Sequence, residues 1–402
     1  MSPALADPRR EYARLLRRPR YPGFVLTVSL ARTCSTMFNT AGVLLVLART
    51  GSAALAGATA AAAVLPGALS GPVLGAWLDV ADRRRVLIVF DQLLSAAALV
   101  AIVALAGHAP AWTLLAVAFV YSVTRPFSTG SFYSALAEIA GPELLDQASA
   151  IEASSLNLSF VVGPALAGAL AGAVGPATAV EVQAAVTVIV AALVAINPVF
   201  EARSPERAIS ASDAIRTGMR SLTRDPVLSS TGAAAALAAF GWGLMTIGFP
   251  LYAARLLGAG AHAGGYLWAA MALGSTVGTF VLAGRPSLRR IGLSYGVLGL
   301  SALLWPLAHT LVLGILLIGL TGFLEGPAYS GTIALRQRHT PPAVRAQVMT
   351  TLTGVALVAS SAGAAISGAI DRPIPAIVAF TVINVLAALT AARGRMVSDG
   401  SD

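Results

Sequence analysis

The 402-residue chain contains no lysine, because every one of its 27 basic residues is an arginine. Without lysine there is no GxxxxGK[ST] phosphate-binding loop and no Schiff-base residue for retinal or pyridoxal phosphate. The single cysteine, Cys34, excludes an internal disulfide, and its apolar surroundings predict a packing role. The four histidines show no metal-ligand spacing with another histidine or cysteine, so we predict no metal site and no cofactor.

Charge of either sign is scarce, since charged residues make up 11% of the chain and apolar residues 56%. Soluble domains carry about 25% charged residues. The charges here also lie in short segments between long apolar runs, and a transmembrane helix needs about 20 apolar residues. The sequence therefore predicts an all-α protein that crosses a lipid bilayer. The net charge of +9 lies in the connecting segments and does not indicate a nucleic-acid partner.

The apolar runs predict twelve transmembrane helices. These cover residues 22–47, 52–78, 86–107, 112–137, 144–172, 176–199, 227–253, 263–284, 291–308, 311–335, 344–370 and 373–392. The predicted parts of the chain are a cytoplasmic tail (1–21), a six-helix bundle (22–199), a cytoplasmic linker (200–225), a second six-helix bundle (226–393) and a cytoplasmic tail (394–402). The first run lacks a convincing cleavage site, so we expect it to remain as a span rather than a removed signal.

The arginines predict the orientation of these spans. With the N-terminus in the cytoplasm, 22 arginines fall on the cytoplasmic side, three fall in outer loops and two fall inside spans. Cytoplasmic loops of membrane proteins carry an excess of basic residues. The distribution therefore predicts a multi-pass protein of the inner (plasma) membrane with both termini in the cytoplasm.

The chain also repeats itself at a shift of 200 residues. The matched pairs are Pro142 and Pro342, Gln147 and Gln347, Gly163 and Gly363, Ala165 and Ala365, and Gly168 and Gly368. All lie in or beside predicted spans 5 and 11. The repeat indicates two six-helix halves related by a parallel internal duplication.

A charged loop, Gly75–Arg85 (GAWLDVADRRR), separates the second and third predicted spans. It resembles the loop signature of the major facilitator superfamily, roughly G-x-L-x-D-R-x-G-R-R. Four positions match the signature (Gly75, Asp79, Arg83 and Arg84), and three depart from it (Trp77, Val80 and Asp82). We expect an acid–base latch that forms in one conformation and breaks in another, made by Gly75, Asp79, Arg83, Arg84, Arg85 and the nearby Asp91. The alternative is a plain basic loop at the cytoplasmic face.

Span 5 contains a second family feature, a run of small residues around a proline. Its members are Gly163, Pro164, Gly168 and Gly172. Small residues allow close helix packing, and the proline removes one helical hydrogen bond. The run resembles the antiporter motif G-P-x-x-G-G of drug–proton exporters, with Ala167 replacing one glycine. The surrounding sequence is similar to the macrolide-efflux and enterobactin-exporter branch. Ordinary close packing is the alternative interpretation.

The resemblance implies a central cavity lined by spans 1, 4, 7 and 10, which contain Arg32, Arg125 and Glu325 within apolar runs. Charges inside spans are costly and tend to face a cavity or a partner. We predict that Glu325 is the proton-coupling acid and that Arg125 or Arg32 competes for its charge. A permanent ion pair is the alternative. Glu152 is a rival proton-coupling residue, although we expect it to pair with loop arginines.

Further candidates for the substrate cavity are Asn39 in span 1 and Trp242, Met245 and Phe249 in span 7. Aromatic and methionine side chains suit apolar ligands of variable shape. Helix packing for the asparagine, and core or lipid-facing positions for the span 7 side chains, are the alternatives.

Together these features predict a monomeric secondary transporter that works by alternating access. The favoured function is export of a small amphipathic organic compound in exchange for protons. A facilitator or importer of a small metabolite is the first alternative, and a polytopic membrane enzyme or sensor is the second. The sequence contains no HExxH motif and no Ser/His/Asp cluster, so we predict that the chain is not an enzyme.

Overall fold

The computed structural model describes residues 8–80, 83–201, 225–282, 286–340, 345–370 and 372–399. Its regular elements are helices, and no β-strand occurs within these ranges. The α-helices are α1 Pro8–Leu16, α2 Tyr21–Thr50, α3 Ala53–Ala62, α4 Leu65–Val80, α5 Arg84–Leu105, α6 Ala111–Val123, α7 Arg125–Val174, α8 Pro176–Ile196, α9 Pro226–Arg255, α10 Gly264–Val281, α11 Leu288–Ser301, α12 Leu311–His339, α13 Arg345–Ser367 and α14 Pro373–Asp399. Short 3₁₀ turns cover Pro198–Glu201, Ala261–Ala263 and Ala302–Leu307.

The all-helical prediction is confirmed, whereas the count of twelve spans stays a prediction. Of the described helices, nine are long and apolar enough to cross a membrane. Predicted spans 4, 8 and 11 are not among these nine. The predicted linker lies almost entirely outside the described residues.

Prolines divide two of the predicted runs further than hydropathy indicates, and a glycine marks the predicted break between spans 4 and 5. The second run is interrupted between α3 and α4, just before Pro66, and the fourth run is interrupted at Thr124, just before Pro126. Proline has no backbone N–H to donate and crowds the preceding turn. Within α7 the chain bends at Gly141, whose φ of 62° is readily adopted only by glycine.

Two groups of helices pack around separate apolar cores. In residues 8–201, which we call the first half, Phe38 and Leu99 are buried among alanine, larger aliphatic side chains and the ring of Tyr121. In residues 225–399, the second half, the core is aromatic, with Phe249, Trp305 and Phe380 each 0% exposed. Large apolar side chains also remain exposed on outward faces of the helices, as expected of a surface that contacts lipid.

Residues matched by the 200-residue shift make equivalent contacts in the two halves. Gly163 of α7 packs against Thr36 of α2, so closely that a Cβ atom would collide with the threonine hydroxyl. Gly363 of α13 packs in the same manner against Phe240 and Gly243 of α9. The internal repeat therefore preserves a close helix contact, and glycine is required because each helix backbone meets its neighbour directly.

Candidate functional site: a central cavity with one buried carboxyl group

A cavity of about 640 Å³ lies between the two halves. Its walls come from α2, α3 and α7 of the first half and from α9, α10, α12 and α13 of the second. Apolar side chains such as Phe160 and Met271 alternate with neutral polar groups such as Asn39 and Ser361. A cavity of this size and character is typical of sites for small organic molecules, which occupy about 300–1,000 Å³.

One end of the cavity is sealed by small residues that bring the two halves into contact. Gly168 of α7 meets Gly265 of α10, where a Cβ on Gly265 would lie 2.9 Å from the Gly168 Cα. Gly368, just beyond α13, packs against Ala53 and Ala54 of α3. We call these contacts the glycine seal. They place backbone against backbone, so a larger side chain has no room there.

The cavity extends from the glycine seal towards the opposite end of the molecule. Gln337, two residues from the end of α12, lines the cavity and is exposed. Phe280, near the end of α10, also lines it and is 76% exposed. The described conformation is therefore closed at the end where α2 finishes and reaches the surface at the end where α2 begins.

The charged residue in the described lining of this cavity is Glu325. It is 9% exposed and lies midway along α12, and no other described residue of the cavity lining is acidic or basic. Trp242 of α9 donates a hydrogen bond from Nε1 to Glu325 Oε1 at 3.0 Å. The side chain of Ser275 on α10 contributes a second hydrogen bond. The carboxyl group is thus held by neutral donors rather than by a basic side chain.

The Trp242 ring belongs to an aromatic cluster that continues behind the cavity wall. Trp268, which also lines the cavity, has its ring centroid 5.8 Å from that of Trp242. Phe380 contacts Trp242 edge-on at 4.6 Å between centroids. This cluster fixes the indole that binds Glu325, because rotation of Trp242 would displace its aromatic neighbours.

A second, smaller pocket of about 170 Å³ lies inside the first half and contains two of the predicted arginines. Asp91 is buried there, accepts a hydrogen bond from Thr124 at 2.7 Å, and also binds Ser128. Arg125 donates to the Tyr121 hydroxyl at 3.0 Å, and its guanidinium lies 5.4 Å from that ring. We call this site the first-half pocket.

Arg32 of α2 forms an ion pair with Glu152 of α7 beside the first-half pocket. The two terminal guanidinium nitrogens, Nη1 and Nη2, both donate to the carboxylate, and Nη1 also donates to the Glu152 carbonyl at 3.0 Å. The two side chains are only 10% and 7% exposed. The pair therefore joins the first transmembrane helix to the second part of α7 in a largely desolvated setting.

Several sequence-predicted residues occupy other places than expected. Arg32 and Arg125 line the first-half pocket rather than the central cavity, so neither of them faces Glu325. Glu152 pairs with an arginine of a span and not with a loop arginine, since it faces α2. Met245 and Phe249 are 1% and 0% exposed and belong to the aromatic core behind the cavity wall.

Asn39, Trp242, Glu325 and Pro164 do line the central cavity. The glycines of span 5 make contacts with other helices: Gly163 with α2, Gly168 with α10, and Gly172 with the ring of His262.

The predicted latch is described only in part. Arg84 binds Glu138 at 3.3 Å, and Arg85 contacts Glu201, both within the first half. Asp91 binds Thr124 and Ser128 instead of joining the loop arginines, because it lies two turns inside α5. The side chain of Asp79 and the surroundings of Gly75 are outside what the structure describes, so the latch stays a prediction.

Sequence reasoning missed Trp268 and Gly265 on α10 and the group around Asp91. The Gly264–Gly265 pair was a usable signal, because adjacent small residues mark close helix contacts. Thr124 and Ser128 were a weaker indication of the polar group around Asp91, since hydroxyl side chains are common in helices. Within the part of the chain that the structure describes, no group of three or more His, Cys, Asp or Glu side chains has metal-binding geometry.

Two helical halves enclose a central cavity that is closed at one end and contains one buried carboxyl group, an arrangement that fits a membrane transporter. The chain belongs to the Major Facilitator Superfamily, whose family model matches residues 24–368. This assignment makes the chain a multi-pass transporter of a small-molecule substrate and not an enzyme, as the sequence predicted.

Relatives and solved structures agree with this assignment. The chain is 30% identical over 373 residues to an uncharacterized MFS-type transporter, y4rN, of Sinorhizobium fredii, covering 89% of this chain and 90% of that protein. It is 29% identical to macrolide efflux protein A of Streptococcus pyogenes over 30% of each chain. A bacterial homolog of the lysosomal transporter Spinster shares the fold with a TM-score of 0.75 at 15% identity, over 96% of this chain and 97% of that one. The POT family transporter PepTSo gives a TM-score of 0.73 at 13% identity, over 96% of this chain and 100% of that one.

Proposed function

We propose that this transporter exports a small amphipathic organic compound in exchange for protons, with Glu325 as the residue that binds the proton. The observation that carries the proposal is the position of Glu325 in the central cavity, 9% exposed and bound by neutral donors. A carboxyl group in a low-dielectric site can exist neutral or charged. A proton and a substrate can therefore compete for binding at Glu325.

Alternating access would open this binding site first to one side of the membrane and then to the other. The glycine seal closes one end, while Gln337 at the other end is exposed. With the N-terminus in the cytoplasm, as the arginines predict, the described conformation faces inwards. Asp79 and the arginines of its loop would then hold the opposite, outward-facing conformation by pairing at the cytoplasmic end.

The direction of transport rests on two similarities. The span 5 run from Gly163 to Gly172 resembles the antiporter motif, and macrolide efflux protein A matches over 30% of the chain. Both support export of a drug-like molecule rather than import of a metabolite.

The test uses everted membrane vesicles that are energised to be acidic inside and loaded with a pH-sensitive dye. A panel of lipophilic antibiotics, dyes and siderophores is added to vesicles that contain the wild-type protein. We expect at least one compound to release protons from the vesicles. If no compound changes the dye signal although the protein is present in the membrane, proton-coupled export is contradicted. Import or facilitated diffusion is then favoured.

Two variants assign the proton-binding residue. Glu325→Gln keeps an oxygen that accepts the Trp242 hydrogen bond but cannot titrate, so we expect it to abolish the proton release. Glu181→Gln removes an exposed carboxyl group on α8, outside the cavity, and we expect it to retain the wild-type response. Proton release by Glu325→Gln at the wild-type rate would show that another residue carries the proton.

A further inference from the structure

The described wall of the central cavity carries charge of one sign only. Glu325 is the single charged residue among the described lining of the cavity. The span arginines lie in the first-half pocket, where Arg32 is bound to Glu152 and Arg125 to Tyr121. The negative charge of an ionised Glu325 is therefore not balanced by a basic group in the described cavity wall.

Other titratable groups near Glu325 do not change this balance. Tyr329 lies one turn further along α12 and lines the cavity, and Tyr295 of α11 lies close enough to interact electrostatically. Trp242 of α9 and Ser275 of α10 are neutral donors. The cavity-lining residues described on α2, α3, α7 and α13 contain no acidic or basic side chain. Arg336, further along α12, interacts with both tyrosines, but it does not line the cavity and donates to the Thr231 carbonyl at 2.9 Å. Tyrosines are uncharged near neutral pH, so the charge in the described cavity wall is that of Glu325.

Two indole rings stand beside this carboxyl group. Trp242 binds it directly, and Trp268 lies 5.8 Å away from Trp242 between ring centroids, with the planes inclined by 50°. Tryptophan faces attract organic cations, more strongly than the faces of tyrosine or phenylalanine. A positive centre next to Glu325 would therefore lie near both a carboxylate and the two indole rings of the cavity wall.

The rest of the cavity suits an apolar body attached to that centre. Phe160, Met271 and Ile333 line it, together with Phe280 towards the exposed end. A hydrophilic cation would gain little from these surfaces, whereas an amphipathic one buries its apolar part against them.

From this arrangement we propose that the substrate is an amphipathic organic cation, with a protonated amine or quaternary centre that binds between Glu325 and the Trp242–Trp268 pair. The inference deepens the proposed function and rests on it. Exchange is balanced, because binding of the cation takes the place of the proton on Glu325 and release of the cation allows a proton to return. An anion or a second positive charge has no described partner in the cavity.

The test measures equilibrium binding to the purified full-length protein in detergent, using tetraphenylphosphonium and tetraphenylborate. These two ions have almost the same size and apolar surface but opposite charge. We expect saturable binding of tetraphenylphosphonium that weakens when the buffer is acidified, and no saturable binding of tetraphenylborate. This comparison needs no variant, so it does not depend on whether a mutant folds. Equal binding of both ions would overturn the inference.

The same pair of variants locates the binding site. Glu325→Gln should weaken tetraphenylphosphonium binding by about tenfold or more, since it removes a charge partner in a desolvated site. Glu181→Gln should bind like the wild type, and protein-free micelles correct for partition of the ion into detergent. Retention of wild-type affinity by a folded Glu325→Gln protein would place the cation elsewhere and contradict the inference.

Failure of this inference can be distinguished from failure of the proposed function. If neutral compounds release protons from the vesicles while tetraphenylphosphonium does not bind, proton-coupled export stands and the substrate class is wrong. If tetraphenylphosphonium binds with the expected charge preference but no compound moves protons, the substrate class stands and proton coupling is wrong.

Discussion

Three buried carboxyl groups, those of Glu152, Asp91 and Glu325, are stabilised in different ways, and the differences separate structural residues from functional ones. Arg32 and Glu152 satisfy each other through paired hydrogen bonds. Asp91 is bound by hydroxyl groups and shares the first-half pocket with the basic side chain of Arg125. Glu325 has only neutral donors and faces a cavity. A paired charge is held in place, whereas an unpaired carboxyl group beside a cavity can bind a proton or a cation.

The Arg32–Glu152 pair should contribute to stability only as a pair. Arg32→Leu or Glu152→Leu alone leaves one buried charge without its partner, so we expect a loss of about 3–5 kcal/mol in the free energy of unfolding. The double variant removes both charges and should be less destabilised than the sum of the single variants. The measurement is a double-mutant cycle of unfolding in mixed micelles.

An exposed ion pair in the same half is the matched control. Arg14 and Glu143 lie 3.9 Å apart with side chains 67% and 73% exposed. Exposed pairs contribute about 1 kcal/mol or less, so replacing either partner should have little effect. Additive losses in the Arg32–Glu152 cycle would show that the two side chains do not act as a pair.

The sequence predicted which residues are charged inside the membrane but not which of them meet. Glu325 was identifiable because it is an isolated acid in a long apolar run. Its partner Trp242 is 83 residues away in the chain, and helix periodicity gives no information on contacts over such a separation. Arg32 was assigned to the cavity from its span alone, whereas the rotation of α2 directs it towards α7.

At the scale of helices, glycine determines how closely the two halves approach. The glycine seal brings α7 against α10 and α13 against α3, and the positions involved, Gly168 and Gly368, are matched by the internal repeat. The sequence located the helices from hydropathy and missed the interruptions near Pro66 and Pro126, since prolines within apolar runs do not change hydropathy enough to mark a break.

A larger residue in the glycine seal should disfavour the described conformation. Gly265→Val would force a side chain against the Pro164 carbonyl and Gly168. Overpacking costs about 1–3 kcal/mol, which corresponds to a change of about tenfold in a two-state equilibrium for each 1.4 kcal/mol. We expect longer distances between spin labels at Val174 and His309 in a background without Cys34, measured by pulsed electron paramagnetic resonance.

Gly354→Val on α13 is the control, because nothing lies within 4 Å of a Cβ at that position. It should retain the wild-type distance distribution. A wild-type distribution in Gly265→Val as well would mean that the glycine seal tolerates bulk and does not control the conformation.

The whole molecule combines a cavity that reaches one end with arginines concentrated on one predicted side. The open end of the cavity and the predicted arginine-rich side coincide at the end where α2 begins and α12 finishes. The sequence predicted the membrane class and the two-half repeat, because both depend on patterns along the chain. It did not predict which end is closed, because that depends on contacts between the halves.

Cysteine accessibility should establish the orientation. In a Cys34→Ala background, Gln337→Cys places a thiol at the exposed end of the cavity and His309→Cys places one in the loop before α12. We expect a membrane-impermeant maleimide to label Gln337→Cys in everted vesicles but not in intact cells. His309→Cys should react in intact cells but not in everted vesicles, and the reverse pattern would contradict the predicted topology.

The glycine seal makes the two ends of the molecule differ in their response to salt. Its contacts join uncharged backbone and small side chains, and dissolved ions do not screen such contacts. The opposite end carries solvent-exposed ion pairs such as Arg14–Glu143 and Arg85–Glu201. At physiological ionic strength the screening length is about 8 Å. Added salt therefore weakens interactions at one end of the molecule and leaves those at the other unchanged.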